Sequence, residues 1–339
     1  MSQANYLPTR LSKLARSLLR AVVLTALALT AGMATTLVAE VKQPLEHVGV
    51  RLNFLPGAEH AFLYLGQQKG WYADEGIDLE VIPGQGSTVA VKTVGSGEDQ
   101  FAIADTASVA RGWEAGVPIV YVAMLLKNTP TAIFSLPSKN IRSMDDLCGK
   151  RVGVNLKSTT AEQYHAMVRL AKLTCPIEEI PMNSGGSKEV LTNLVDAAVN
   201  FSYTDALRVK VRAGGVNVIP ATQYFDFFSL GIISNRKFLA EKPDLARRFM
   251  KVTIRSLIYA LHHKDETLEA FSKVNPEADS EYESAKLDAF GVLVTKDGSD
   301  ADLVEVQSPS GWEASLTSLY DIGIIKSPMS ADGKFGVVK

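Results

Sequence analysis

From Ile77 to Ile82 apolar and acidic side chains alternate, with Ile77, Leu79 and Val81 set against Asp78 and Glu80. A period of two is the spacing of a strand with one buried face. Residues 61–71 carry apolar side chains at helical spacing, and short extended segments are expected at 51–55 and 101–104. The order is strand, loop, helix, strand, Gly/Ser loop, helix, strand, which is a βαβα unit followed by a third strand. In an open parallel sheet the loops leaving the strands' carboxyl ends converge on one edge, where ligands bind. Here those loops are residues 56–60, 84–88 and 105–108, all rich in small or polar side chains.

The apolar run 119–126 has the length of a buried strand; Lys127–Pro130 interrupts it and residues 131–136 resume it. Such an interruption suits a chain passing between two lobes, and residues 219–234 suggest a return. Residues 48–137 are therefore expected to open the first lobe, 138–222 to form the second, and 223–339 to return and close the first. The second lobe repeats the logic of the first. It has a strand at Arg151–Val154, a polar loop at 155–160, and a helix over 161–173 capped by Ser158, Thr159 or Thr160. A second helix over 187–195 is entered through Ser184, Gly185 and Gly186, and a strand over 195–200 runs out into Tyr203 and Asp205. Further helices are expected at Pro243–His262, 267–275, 280–290 and 310–322, with a Gly- and Pro-containing tail from Ser327 over the surface.

The chain has 339 residues, 46% hydrophobic and 21% charged, enough for two α/β lobes. A net charge of -2 gives no electrostatic footprint for nucleic acid, so none is expected as a partner. Arg10, Lys13, Arg16 and Arg20 precede an apolar run at 21–33 and small residues up to Ala39. That order predicts a secretory signal peptide over 1–39, the run being short of the roughly 20 residues of a spanning helix. An uncleaved membrane anchor is the alternative. No cysteine precedes Cys148, so a lipidated tether is not expected. Cys148 and Cys175 each precede a second-lobe strand, at the amino ends of strands that would be parallel neighbours. They are either a disulfide or two inert thiols, and their spacing does not suit a metal.

The segments NFLPGAEHA, KGWYADEGIDLEV, PGQGST, GSGEDQFAIADTASV and GVPIVYVAML, followed by SMDDLCGKRVGV, occur in that order. As a set they resemble the substrate-binding proteins of ABC importers, in the family that includes thiamine-pyrimidine precursor and aliphatic sulfonate binders. The resemblance covers residues 50–326. It implies a type II periplasmic binding protein fold, with two α/β lobes and a ligand cleft between them. It also implies a freely diffusing periplasmic monomer that closes on a small solute and delivers it to an ABC permease in the inner membrane, without cofactor or metal. The expected solute is a heteroaromatic compound like a thiamine-pathway pyrimidine; an alkanesulfonate such as taurine, riboflavin or an aromatic acid are alternatives. A eukaryotic pyrimidine-synthase branch shares the fold by resemblance. It uses a pyridoxal-phosphate lysine with a nearby histidine in the third-strand segment, and a cysteine-rich motif. Residues 101–110 contain neither Lys nor His, and two separated cysteines cannot make the motif.

Asn53 and Phe54 lie where the pyrimidine-binding branch carries Asp and then Trp. Phe54 would stack on a planar heterocycle, or else fill the core. His60 is a ligand donor or a buried cap. Gln85, Gly86, Ser87 and Thr88 form a helix start whose free N–H groups attract polar ligand atoms; with no lysine this is not a phosphate loop. Asp105 and Thr106 leave the third strand as ligand acceptors, or Asp105 caps the next helix. Ser158, Thr159, Thr160, Tyr203 and Asp205 would face them from the second lobe. Carboxylates on both walls suit amino or ring N–H donors and repel sulfonates. The loops lack arginine: Arg111 falls within a helix, and Arg208 and Arg212 on a face expected to be solvated.

Overall fold

Ten strands form two five-stranded sheets, ordered β2-β1-β3-β10-β4 and β7-β6-β8-β5-β9. The first contains β1 (Glu46–Arg51), β2 (Ile77–Ile82), β3 (Phe101–Asp105), β4 (Ile119–Met124) and β10 (Leu230–Asn235). The second contains β5 (Thr131–Ser135), β6 (Arg151–Val154), β7 (Glu178–Pro181), β8 (Ala197–Phe201) and β9 (Asn217–Pro220). These descriptions come from a computed structural model and cover residues 44–295 and 309–336, so the signal peptide expected at 1–39 lies outside them.

In each sheet one strand runs against its neighbours: β10 is antiparallel to β3 and β4, and β5 to β8 and β9. Each reversed strand is the one that follows a crossing from the other sheet. The first crossing lies between Met124 and Thr131, so residues 131–135 pair in the second sheet. The expectation that the first lobe runs on to residue 137 is corrected accordingly. Leu125 and Leu126 N–H both donate to the Leu230 carbonyl, at 2.7 and 2.8 Å, and Thr129 N–H donates to Asp226 Oδ1 at 3.0 Å. The outgoing and returning segments are thereby stitched side by side.

Strand β1 ends at Arg51, where the sequence pattern expected it to begin. Its ladder finishes with Leu52 N–H to Ile82 O at 2.8 Å, after which the Asn53 and Phe54 carbonyls accept from Gly86 and Gly84, both at 2.9 Å. A side chain at Gly84 would run into the Leu52 carbonyl, so glycine is what lets the two loops touch. The helix expected at 61–71 is two: Ala61–Gln68 stops before Gly70, whose φ of 73° turns the chain into Trp71–Asp74. The helix Ser187–Leu191 is shorter than expected because Asn193 takes a positive φ of 58°. Pro243–His262 is one helix as its spacing predicts, burying Leu245, Phe249, Val252 and Leu257.

The helix Ser280–Val294 packs on the turn at 58–60 and on the second-lobe helix Leu207–Ala213. Trp312, in the helix Pro309–Asp321, is fully buried in a core that takes Trp113 and Tyr121 from one sheet's side and Ile133 and Tyr164 from the other's. The C-terminal tail lies along the β4 edge, with Tyr121 N–H donating to Lys334 O and Gly336 N–H to Tyr121 O. It covers backbone that an open edge would expose.

Cys148 and Cys175 form a disulfide with Cα atoms 5.5 Å apart. They precede β6 and β7, whose first paired residues are Arg151 and Glu178, so the bridge closes the amino-end edge of two parallel neighbours. The bond spans 27 residues, and closing a loop of that size is worth roughly 2–4 kcal/mol against the unfolded chain. The Cys148→Ser, Cys175→Ser double variant is expected to lose that much in denaturant titration. The unreduced, denatured wild type is expected to show no free thiols, and two would remove the bridge.

Candidate functional site

The three first-lobe loops are tied into one surface. Asn53 and Phe54 hold the Gly84–Gly86 loop through backbone bonds, and Ser87 Oγ accepts from Asp105 N–H at 3.1 Å. Gly86 takes a φ of 112°, which a glycine adopts without strain, and opens the helix Ser87–Ser96. Gln85 and Thr88 stay exposed beside it. Phe54 is 59% exposed, so its ring is a free face on this edge and not part of the core.

His60, expected as a ligand donor, is 1% exposed and engaged at both ring nitrogens. Nδ1 accepts from Gly57 N–H at 3.3 Å, and Nε2 lies 2.8 Å from Asn53 Oδ1. Burial above all holds its imidazole down, to about 4 from the ordinary 6.5, with Glu59 opposing and Lys286 helping. His60 is therefore a buried neutral ring whose two nitrogens are taken up by Gly57 and Asn53. Beside it, Lys286 sits 2.9 Å from both Glu59 and Glu283, all three side chains being buried, and Glu283 Oε2 also accepts from Ala58 N–H at 2.7 Å. Burial works against its charge, yet these carboxylates raise Lys286 above the ordinary lysine value.

Asp105 is a helix cap. Oδ1 accepts from Ser108 N–H at 2.9 Å and Oδ2 from Ser108 Oγ at 3.0 Å, and Thr106 is wholly buried, its hydroxyl donating to Ser229 O. Both residues are thus engaged in starting the helix at the β3 exit, the capping alternative expected for Asp105.

In the second lobe Ser158 caps the helix Thr159–Leu170 and also bonds Thr160 Oγ1 at 2.8 Å, leaving Thr159 half-buried at the edge. Tyr203 is buried, 5.9 Å from the Phe201 ring and 6.0 Å from the Phe290 ring, so it is an interlobe packing residue and not an open ligand platform. Asp205 takes a bond from Asn200 Nδ2 at 2.8 Å and a longer one from Ser187 N–H at 3.4 Å; burial pushes its carboxyl up. A side chain at Gly185 would collide with that carboxyl. Leu156, in the loop after β6, is 53% exposed and was not singled out by the sequence pattern.

The lobes touch on two sides of these loops. Arg111 pairs with Glu162, joining the helices that start at Thr106 and Thr159. On the other side Arg212 pairs with Asp279, and the Arg208 guanidinium lies 3.6 Å over the Tyr282 ring. Arg208 is thus half-buried against an aromatic, where a solvated face was expected. A cavity of about 350 Å³ opens at the crossings, lined by Asn128, Thr131, Ser202, Pro220, Asp226 and Leu293 among others; none of the expected contacts lines it. Among the described residues no group of His, Cys, Asp and Glu is arranged to hold a metal ion.

Two lobes of this topology, with site loops at facing sheet edges, define the periplasmic binding protein fold. The structure is similar to the periplasmic aliphatic sulphonate binding protein SsuA from Escherichia coli, with a TM-score of 0.65 and 11% identity over 86% of this chain and 97% of that one. Residues 57–267 match the model of the NMT1/THI5-like family, and the chain belongs to that family. It is 24% identical to the riboflavin-binding protein RibY of Chloroflexus aurantiacus over 69% of this chain and 68% of that one. It is 21% identical to a formylaminopyrimidine-binding protein of Halalkalibacterium halodurans over 87% and 91%. A relative named 4-amino-5-hydroxymethyl-2-methylpyrimidine phosphate synthase, from Legionella pneumophila, is 22% identical over 68% and 74%.

His60 carries a pH prediction. Because its folded value lies below the ordinary 6.5, folding favours the neutral ring. Its contribution is complete above pH 6.5 and is lost as pH falls through about 4, on the order of 3 kcal/mol by that pH. Urea titrations of wild type and His60→Gln are expected to give a stability difference that shrinks from pH 7 to pH 4. A pH-independent difference would show a ring that is not held neutral.

Proposed function

We propose that this protein is the periplasmic solute-binding component of an ABC importer, and that it takes a small heteroaromatic solute between its lobes and hands it to a permease. The observation that carries the ring preference is Phe54, an exposed aromatic face on a loop whose backbone is fixed by Gly84 and Gly86. A rigid aromatic platform suits stacking on a planar heterocycle. Asp205 supports the same reading, since a half-buried carboxyl on the facing wall suits a ligand that offers N–H donors. Riboflavin and a formylaminopyrimidine, named for two relatives, are both planar nitrogen heterocycles. Capture proceeds by hinge motion about the two crossings, with one lobe binding first and the second completing the contacts. A micromolar constant, about -8 kcal/mol, is adequate for that task.

A sulfonate is the second reading, favoured by the open turn at Gly86 that starts a ten-residue helix, where backbone N–H groups attract anions. An enzyme is the third, favoured by the synthase names among the relatives. Against it, residues 101–110 carry neither lysine nor histidine, and Asp105 and Thr106 are committed to capping and packing.

Calorimetric titration of refolded, ligand-stripped protein with hydroxymethylpyrimidine, riboflavin and taurine tests the proposal. One-to-one binding of a ring compound with taurine silent is the expected result, and taurine binding alone overturns it. Phe54→Ala is expected to weaken the ring compound by roughly 0.5–3 kcal/mol through lost stacking and apolar contact. Unchanged affinity in that variant would remove Phe54 from the site.

A further inference from the structure

We infer that His60, held in place by the buried Glu59–Lys286–Glu283 cluster, fixes the side-chain amide of Asn53 as a hydrogen-bond donor, so that this wall selects a ligand presenting an acceptor atom such as a ring nitrogen or carbonyl oxygen. The inference deepens the proposed function and rests on its placement of the cleft.

An asparagine amide is ambiguous, because either end can face the ligand and only its surroundings decide which does. Here they decide. Gly57 N–H can only donate, and it points at His60 Nδ1 from 3.3 Å, so Nδ1 is the acceptor nitrogen of a neutral ring. The proton then sits on Nε2, which lies 2.8 Å from Asn53 Oδ1 and donates to it. With Oδ1 taken up by that bond, Nδ2 is the end of the amide left to a ligand. Asn53 is half-buried beside the exposed ring of Phe54, so the donor stands at the rim of the stacking face.

The relay depends on the turn Ala58–His60 staying in place. Glu283 accepts from Ala58 N–H at 2.7 Å, and Lys286 bridges Glu283 to Glu59 at 2.9 Å on each side. A side chain at Gly57 would meet the ends of both Glu59 and Lys286, so the buried cluster lies directly against the turn. Desolvation disfavours a second proton on the ring, against the pull of Glu59 and with the help of Lys286; that proton would convert Nδ1 into a donor facing another donor. Lys286 and Glu283 are positioning residues: they act on the ligand only through the turn. An aspartate at position 53 would accept where this chain donates.

Two measurements test this. Long-range 15N–1H NMR of the ligand-free protein at pH 7 is expected to show His60 neutral with its proton on Nε2; a proton on Nδ1, or an imidazolium, overturns the inference. Because this arm needs no ligand, a protein that binds no ring compound refutes the proposed function while the tautomer still decides the relay. The second compares hydroxymethylpyrimidine with analogues in which one ring nitrogen at a time is replaced by C–H. At least one replacement is expected to weaken wild type about tenfold, and Asn53→Asp is expected to lose the parent compound by a similar factor while becoming indifferent to that replacement. Lys286→Met is expected to follow Asn53→Asp in part, with Lys286→Arg restoring affinity. An Asn53→Asp protein that keeps full affinity and the wild-type preference among analogues overturns the inference.

Discussion

The chain passes between its two sheets twice, and both times at the sheets' facing edges. A strand that enters a sheet from the edge where its parallel neighbours end must run against them, which is why β10 and β5 are reversed. The helices that follow β3 and β6 are joined by the Arg111–Glu162 pair, which brings together the loops leaving the carboxyl ends of those strands. Asp226 Oδ1 accepts from Thr129 and Phe227 N–H, and its Oδ2 from Asn128, so the two crossings behave as one double-stranded strap and not as two independent linkers.

On that frame the first wall is built by ties of long range. The Gly84–Gly86 loop hangs on Asn53 and Phe54, Asp105 on Ser87, and the turn at 58–60 on a helix more than two hundred positions later, Ala58 bonding Glu283 at a separation of 225. The buried Lys286 with its two carboxylates is an expensive way to join helix and turn, since desolvation offsets most of the attraction and an apolar replacement is often as stable. What the charges supply is direction: they fix where the backbone N–H of Ala58 points and lie directly against the turn at Gly57. Lys286 and Glu283 lie beyond the 57–267 segment that carries the family match, so this geometry is set by residues outside it.

Elements whose evidence is a local period were legible in the sequence. Ile77–Ile82, Arg151–Val154 and Pro243–His262 occur at the bounds their spacing predicts, and the edge on which the loops gather followed from strand order alone. Where β1 stops was not legible, because residues 53 and 54 are extended by spacing but bond to a loop thirty positions away. The site divides in the same way. Phe54, Gln85 and Thr88 stand exposed at the edge, whereas His60, Thr106 and Tyr203 are turned inward, His60 by Gly57 and Asn53 close in sequence, and Thr106 and Tyr203 by the distant Ser229 and Phe290. A polar side chain at a strand exit looks the same in sequence whether it faces ligand or caps a helix, and Asp105 illustrates the second outcome. Leu156 had no signal at all, being one exposed leucine in a polar loop.

The contacts between the lobes bear on how affinity is set. Arg111–Glu162 and Arg212–Asp279 are substantially exposed ion pairs, and such pairs contribute between nothing and about 1 kcal/mol each. The Tyr203–Phe290 contact and the Arg208–Tyr282 stack add apolar and cation–π attraction of similar size. The larger contact is apolar: the core around Trp312 takes Trp113 and Tyr121 from the first sheet's side and Ile133 and Tyr164 from the second's, so the lobes are joined chiefly by buried apolar surface. Under the proposed function, a ligand that touches both walls adds to this contact and does not replace it. On that proposal a pinned first wall has a thermodynamic consequence: a donor and an aromatic face that need no reorganisation would leave more of the ligand's binding energy for closure.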